Sequence, residues 1–233
     1  LWFHSIIYPT ILKSCFSDEE LNQYQAKNVL VHGFIVDKNG LKMSKSLGNV
    51  IDVNHILNAY SVDAIRYYLI METIWGNDIK FSEERLVELY NNELIKNFGN
   101  LFQRVFALVK PLEKELNDYN KNYIFDSNFL FKIKQLTETY NLVGYKDELN
   151  KLLQKANKIL TETKPWDKNL DLEKRLCLLS EQLNYLNQIM IILEPIIPNK
   201  IKELRSYLGW ENNQNNQLSI KVDKIRAFTP IIK

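Results

Sequence analysis

Lys42-Met43-Ser44-Lys45-Ser46 places two ammonium groups and two hydroxyls within five residues, and Leu47-Gly48-Asn49 follows at once. Both group types donate hydrogen bonds, and neither serves as an anionic ligand for a metal. A short segment with this inventory suits a polyphosphate whose charge must be held while a bond breaks. Taken alone, the same five residues also read as a solvated turn after a strand. Near the start of the chain, His4 and Tyr8 are four apart and would share a helical face. Pattern alone leaves His4 open to a second reading, as a satisfied core histidine.

The elements around the loop follow from composition. Residues 28–36 (NVLVHGFIV) are β-branched and apolar, the profile of a buried strand. Asp37-Lys38-Asn39-Gly40 then makes a turn, with Asn-Gly supplying positive φ. Upstream, residues 2–16 predict a helix whose buried stripe is Phe3, Ile6, Ile7, Ile11 and Leu12, with Pro9 at a kink or early turn. Ser17 to Glu20 is a helix start or a loop. Downstream, Asn54–Tyr60 is a short helix. Ser61 caps a second, with Asp63 in its first turn and Ile65, Tyr68, Leu69 and Glu72 at helical spacing.

From Ser82 the chain reads as helical. A long stripe runs from Leu86 to Val109 until Pro111 stops it, with Gly99 in its middle. Gly there costs about 1 kcal/mol relative to Ala, so close packing or a close ligand is expected. Helices follow from Asp126 or Ser127 to Leu142, from Tyr145 to Leu160 after a break at Gly144, from Asp171 to Leu193, and from Pro198 to Gly209. Residues 211–217 are a polar loop, and residues 220–233 an extended arm or short strand that docks. Residues 1–80 thus resemble part of an α/β sheet, and residues 81–209 a helical bundle.

Composition narrows the function classes only a little. The 233 residues carry 30 basic and 28 acidic side chains, a net charge of +2 that neither requires nor excludes a nucleic acid partner. Cys15 and Cys177 have no nearby Cys or His at ligand spacing, so neither a zinc site nor a disulfide framework is expected, and a cytoplasmic location is the default. No apolar run is long enough to span a bilayer. The chain opens on Leu1-Trp2-Phe3-His4, in mid-pattern, as if a longer protein continued upstream.

Taken together, Val31-His32-Gly33-Phe34, Lys42 to Asp52, and Asp63-Ala64-Ile65-Arg66-Tyr67-Tyr68-Leu69 resemble the later part of a class I aminoacyl-tRNA synthetase catalytic domain. Gly76-Asn77-Asp78, Asn97 to Leu101 with Arg104, Lys164-Pro165-Trp166 and the tail Phe228 to Lys233 are similar to the methionyl-tRNA synthetases. The resemblance implies a mostly α fold: the C-terminal remnant of an α/β Rossmann-type catalytic domain (1–80, with the stem-contact region), then a helical anticodon-binding domain (81–233). It implies attachment of L-methionine to its tRNA, using ATP with Mg2+. Lys42, Met43, Ser44, Lys45 and Ser46 would bind ATP, and Lys45, with Lys42, would stabilise pyrophosphate charge. His4 and Tyr8 would line the methionine pocket, although Trp is common where Tyr8 stands.

By the same resemblance, Asn100, Arg104, Pro165 and Trp166 would read a CAU anticodon. Asn100 and Arg104 are four apart on one helix. Carboxamide and guanidinium groups read base edges, and unpaired bases stack on aromatics such as a tryptophan at a turn tip. By spacing alone, Trp166 could equally be a plug between helices and Arg104 a solvated helix end. The family's His-Ile-Gly-His element and its zinc-bearing insertion are absent from these residues, so any zinc would lie outside them. Val53 and Ser61 replace the usual Pro and Gly. The expected state is a monomer without an appended dimerisation domain, inactive in adenylate formation by itself. The alternatives are a freestanding tRNA-binding module, or a synthetase for valine, isoleucine, leucine or cysteine.

Overall fold

The computed structural model of the protein describes residues 2–119, 126–210, 218–220 and 227–231. A π-helical stretch, Phe3–Ile7, runs into α1 (Tyr8–Cys15), with Pro9 in the first turn. Helix α2 (Asp18–Tyr24) starts at a capping box in which Ser17 and Glu20 satisfy each other's backbone N–H. Strand β1 is Ile35–Val36 and strand β2 Ile79–Lys80, joined as a parallel pair. Between them lie α3 (Val53–Ala59), capped by Asp52, and α4 (Val62–Glu72), capped by Ser61.

Helix α5 (Glu83–Glu88) begins at Ser82 and passes through a wider π-helical stretch, Leu89–Gly99, into α6 (Asn100–Val109). A 3-10 turn at Lys110–Leu112 leads to α7 (Glu113–Tyr119). Pro111 therefore does not end the helical path, since its missing N–H falls at the start of a new helical turn. The bundle is completed by α8 (Ser127–Glu138), α9 (Leu142–Thr163), α10 (Leu172–Leu193) and α11 (Pro198–Leu208), the last closed by Gly209 at φ 75°. One hydrophobic core runs from Ile56 and Tyr60 through Phe98, Phe102, Leu153 and Leu186 to Trp210 and Phe228.

Four further expectations need correction. The strand foreseen over 28–36 is reduced to Ile35–Val36, which pairs with β2 and, through a single antiparallel bridge, joins Val36 to Lys42; Val29, Leu30, Val31 and Phe34 are exposed. In residues 2–16 the helix forms but the stripe is not buried: Phe3, Ile6, Ile7 and Ile11 are exposed, and Leu12 alone is buried. In α4 the buried set is Asp63, Ala64, Tyr67 and Tyr68, so the helix is covered on more of its circumference than one stripe. Gly144 does not break a helix. It lies in the first turn of α9, where Asn141 caps its N–H at 2.9 Å, and the break falls at Tyr140, whose φ is 53°. A Cβ at Gly144 would meet Leu136 Cδ2 at 2.8 Å, so this glycine lets α8 and α9 approach.

The tail docks as an extended arm where it is described. The Asn117 carboxamide accepts from Leu218 N at 2.8 Å and donates to Leu218 O at 3.0 Å. The Asn91 carboxamide makes the same pair of bonds with Ile231, at 3.0 and 2.9 Å. Each amide side chain thus imitates one residue of a neighbouring strand. The polar loop 211–217 and tail residues 221–226, 232 and 233 lie outside the described residues. Between those clamps, Phe228 rests on Gly99, where a Cβ would meet its ring at 2.9 Å. The expected close packing at Gly99 is therefore an aromatic ring from the tail. Gly99→Val is expected to destabilise the chain by about 1–3 kcal/mol through overpacking. The urea midpoint should fall with an unchanged slope; an unaltered midpoint would show that Phe228 is free to leave Gly99.

Candidate functional site

The lysine–serine loop is built on a turn. Asp37 and Gly40 close it with a 2.9 Å backbone bond, and Asp37 N donates to Leu41 O at 2.9 Å. The Asp37 carboxylate accepts from Asn39 N (3.0 Å) and Leu41 N (2.8 Å) and, on its other oxygen, from Asn49 Nδ2 at 2.9 Å. Asn49 Oδ1 in turn accepts from Ser44 N at 2.9 Å, and its Nδ2 also reaches Lys42 O at 3.3 Å. Ser44 Oγ caps the 3-10 turn Lys45–Leu47 through Leu47 N and lies 3.2 Å from Ser46 Oγ. Gly48, at φ 65°, ends that turn.

The loop is therefore ordered by its uncharged and acidic neighbours, while its cations stay outside. Lys42, Lys45 and Ser46 are exposed, and neither lysine is paired with a carboxylate among the described residues. Lys42 Nζ lies 5.4 Å from the centre of the Phe34 ring. A third ammonium, on Lys80, comes from β2: its Cε would lie 3.3 Å from a Cβ at Gly40. The roles of Asp37, Asn49 and Lys80 were not read from the sequence, though Asp37 and Asn49 stand in the turn and Leu-Gly-Asn motifs that flank the lysines. The Asn49 amide, followed by Leu41 N, holds the Asp37 carboxyl below the usual aspartate range. Among the described residues no group of three or more His, Cys, Asp or Glu is placed to hold a metal. The donor set fits phosphate oxygens.

The bundle positions the loop through β2. Tyr68, buried on α4, donates to Lys80 O at 3.0 Å and accepts from Ser82 N at 3.1 Å. Strand β2 then holds β1: Ile79 N donates to Phe34 O, Phe81 N to Val36 O, and the Asp78 carboxylate takes Phe34 N at 2.7 Å. A Cβ at Gly33 would stand 2.0 Å from Asn77 O, so only glycine lets these segments meet.

The second set of candidate residues converges. Asn100 and Arg104 are exposed on α6, and the Arg104 guanidinium lies 5.3 Å over the Trp166 ring. Trp166 is 45% exposed, so it is not a plug between helices; Pro165 beside it is buried. Lys164, at φ 45°, turns the chain out of α9. Asp167 N bonds back to Lys164 O at 2.8 Å, and Arg175 Nη2 grips Asp167 O at 2.7 Å. The tryptophan is thus presented from a braced turn, with a cation on its face. His4 and Tyr8 have a different setting. Both are exposed, so His4 is not a core residue; its ring meets Phe3 edge-on at 5.4 Å.

The loop geometry makes Asn49 a test point. Asn49→Ala removes contacts to Asp37, Ser44 and Lys42, each hydrogen bond worth about 1 kcal/mol. Trypsin cleavage after Lys42 and Lys45 should accelerate several-fold, with bundle stability unchanged. Equal rates in parent and variant would count against the staple. Because the folded Asp37 pKa is depressed, its contribution to loop order is fully present above the ordinary aspartate pKa of about 3.9. It should fade only as pH falls through the lower folded value, which loop proteolysis by an acid-active protease would follow.

Comparisons with known proteins bear on both sites. Residues 1–106 match the family model described as tRNA synthetases class I (M). A methionine–tRNA ligase of Thermotoga maritima is 30% identical over 227 residues, covering 92% of this chain and 35% of that protein. One from Helicobacter pylori is 32% identical, covering 93% and 34%. The chain thus spans about a third of the length of these curated relatives. Mycobacterium tuberculosis methionyl-tRNA synthetase in its apo form superposes with a TM-score of 0.73 at 18% identity, over 98% of this chain and 48% of that one. Its complex with methionyl-adenylate gives 0.72 at 23% identity, over 92% and 43%. At those identities the superpositions speak to the fold alone. Residues 1–106 thus match the class I tRNA synthetase model, and the chain is similar over nearly its whole length to one part of the methionine–tRNA ligases.

Proposed function

We propose that this chain supplies the ATP-phosphate loop and the anticodon-reading bundle of a methionine–tRNA ligase, which joins L-methionine to tRNA(Met) with conversion of ATP to AMP and diphosphate. In this reading residues 1–80 are the later part of a Rossmann-type catalytic domain, and residues 81–233 the anticodon-binding domain. The observation that carries it is the Arg104–Trp166 pair: an exposed indole with a guanidinium 5.3 Å over its ring, and Asn100 one turn away on α6. Such a platform stacks an unpaired base and offers donors to its edge.

At the other site, Lys42 and Lys45 place positive charge on a loop whose backbone is already fixed by Asp37 and Asn49. Charge held in place before reaction favours the transition state in which negative charge grows on the leaving diphosphate. Lys45 would act there, with Ser44, Ser46 and the Met43 segment shaping the loop around the phosphates. ATP brings the activating phosphoanhydride and its accompanying Mg2+. His4 and Tyr8 remain the candidates for the methionine pocket.

Two measurements test these roles. Trp166→Ala should weaken binding of an anticodon stem-loop carrying CAU by about 1–3 kcal/mol, the usual worth of one base–aromatic stack. Fluorescence anisotropy with CAU and altered-anticodon stem-loops reads this directly, and a parent chain that binds both alike would refute anticodon reading. In the longer protein, Lys45→Ala should slow adenylate formation about a hundredfold or more, on the scale of losing one transition-state charge contact. tRNA affinity should be unchanged, since the anticodon contacts lie on α6 and the α9–α10 turn. Equal loss of both would reject the separation of roles.

A further inference from the structure

Asp63 is the one buried charged side chain among the described residues, and its bonds cross from the loop-bearing segment to the bundle. It stands in the first turn of α4. Its Oδ2 accepts from Lys200 N at 2.7 Å and its Oδ1 from Asn199 Nδ2 at 3.1 Å, both in the first turn of α11. One turn further along α4, the Arg66 guanidinium donates to Pro195 O at 2.7 Å and, through Nε, to Ile196 O at 2.9 Å. These are carbonyls just past the end of α10. Two residues on one helix thus grip both sides of the α10–α11 corner, an anion at the helix N-terminus and a cation at the preceding C-terminal carbonyls. Each sign matches the dipole that it meets.

The far end of α4 is gripped the opposite way. Lys146, on α9, donates to Met71 O at 3.0 Å and Thr73 O at 2.8 Å, at the α4 C-terminus. Trp75 Nε1 then donates to Tyr140 O at 2.8 Å, in the α8–α9 turn. Helix α4 is the same helix that holds β2 through Tyr68, and so sets the lysine–serine loop. Apolar packing between α4 and the bundle is non-directional and tolerates small rotations. The charged bonds at the two ends of α4 do not, because they have donor–acceptor geometry.

We propose that Asp63 and Arg66 are positioning residues: they fix the angle between α4 and the α10–α11 corner, and so hold the lysine–serine loop and the Arg104–Trp166 platform at one separation on a bound tRNA. The RNA part of this rests on the proposed function; the angular part does not. Loss of the grip leaves the platform itself intact, since Arg104 and Trp166 are carried by α6 and the α9–α10 turn. It should therefore weaken only a ligand that touches both regions.

The test uses the chain's own chemistry. In a Cys15→Ser background, Val53→Cys on α3 and the native Cys177 on α10 leave two exposed thiols, one beside the loop and one in the bundle. With nitroxides on both, pulsed EPR should give one narrow distance in the parent. Arg66→Ala and Asp63→Ala should each broaden it, and Arg66→Lys, which can still reach one carbonyl, should restore part of the narrowness. In parallel, an anticodon stem-loop should bind the alanine variants as it binds the parent, while intact tRNA loses about tenfold, within the range for coupled sites. Unchanged widths in both alanine variants would overturn the proposal, and so would equal loss for the two RNAs. If the parent binds neither RNA, the proposed function fails, and the distance widths alone decide the angular role.

Discussion

A carboxylate taken out of water must find fixed donors, because desolvation costs several kcal/mol per ion unless its lone pairs are met. Asp63 finds Lys200 N and the Asn199 amide, and both belong to a helix more than 130 residues later in the chain. That requirement joins two distant parts of the sequence. It also explains why α4 can be buried on so much of its circumference. Tyr67 and Tyr68 fill its apolar contacts, Tyr68 hands its hydroxyl to β2, and the charged residues lie where helix ends offer partners. Burial raises the pKa of the Tyr67 phenol, so it stays neutral across the physiological range.

From α4 outward, order passes to the loop by a chain of hydrogen bonds. Tyr68 is fully buried, the β1–β2 pair sets a buried Val36 beside an exposed Lys80, and the Asp37–Asn49 staple is half-buried. Lys42 and Lys45 come last, exposed and without a carboxylate partner among the described residues. A loop that must admit and release a polyphosphate cannot be buried, yet it gains from a backbone fixed in advance. The staple meets both needs by tying main chain to side chain and leaving the ammonium groups in water. The Trp166 turn follows the same logic, with Arg175 bracing its backbone and Pro165 buried under an exposed ring.

Much of this was legible in the residues, and the failures have physical causes. The cap at Ser61 and the helix start at Ser82 were readable because an N-cap is local chemistry: one side chain and the N–H two or three residues on. The apolar stripe from Leu86 to Val109 was readable because periodicity reports burial directly. What the pattern could not give was the partner of each face. The apolar run at 28–36 looks like a buried strand whether or not neighbouring strands are there to pair with it. Gly144 looks like a breaker unless Leu136 is known to lie against it. Tyr67 falls outside the stripe of Ile65, Tyr68 and Leu69, and only the second layer that covers α4 buries it.

The candidate sites show the same division. The lysine–serine pentapeptide and the Asn100, Arg104 and Trp166 set were identifiable by type and resemblance, but their settings were not. Only the fold shows that Arg104 and Trp166 share a face across more than 60 residues of sequence, and that Lys80 joins the loop from a neighbouring strand. Side chains that touch ligand carry their chemistry in their type, so sequence exposes them. Those that set angles, such as Asp63 and Arg66, are common residues in an ordinary helical pattern. Their meaning lies in the carbonyls and amides they meet, and those belong to another part of the chain.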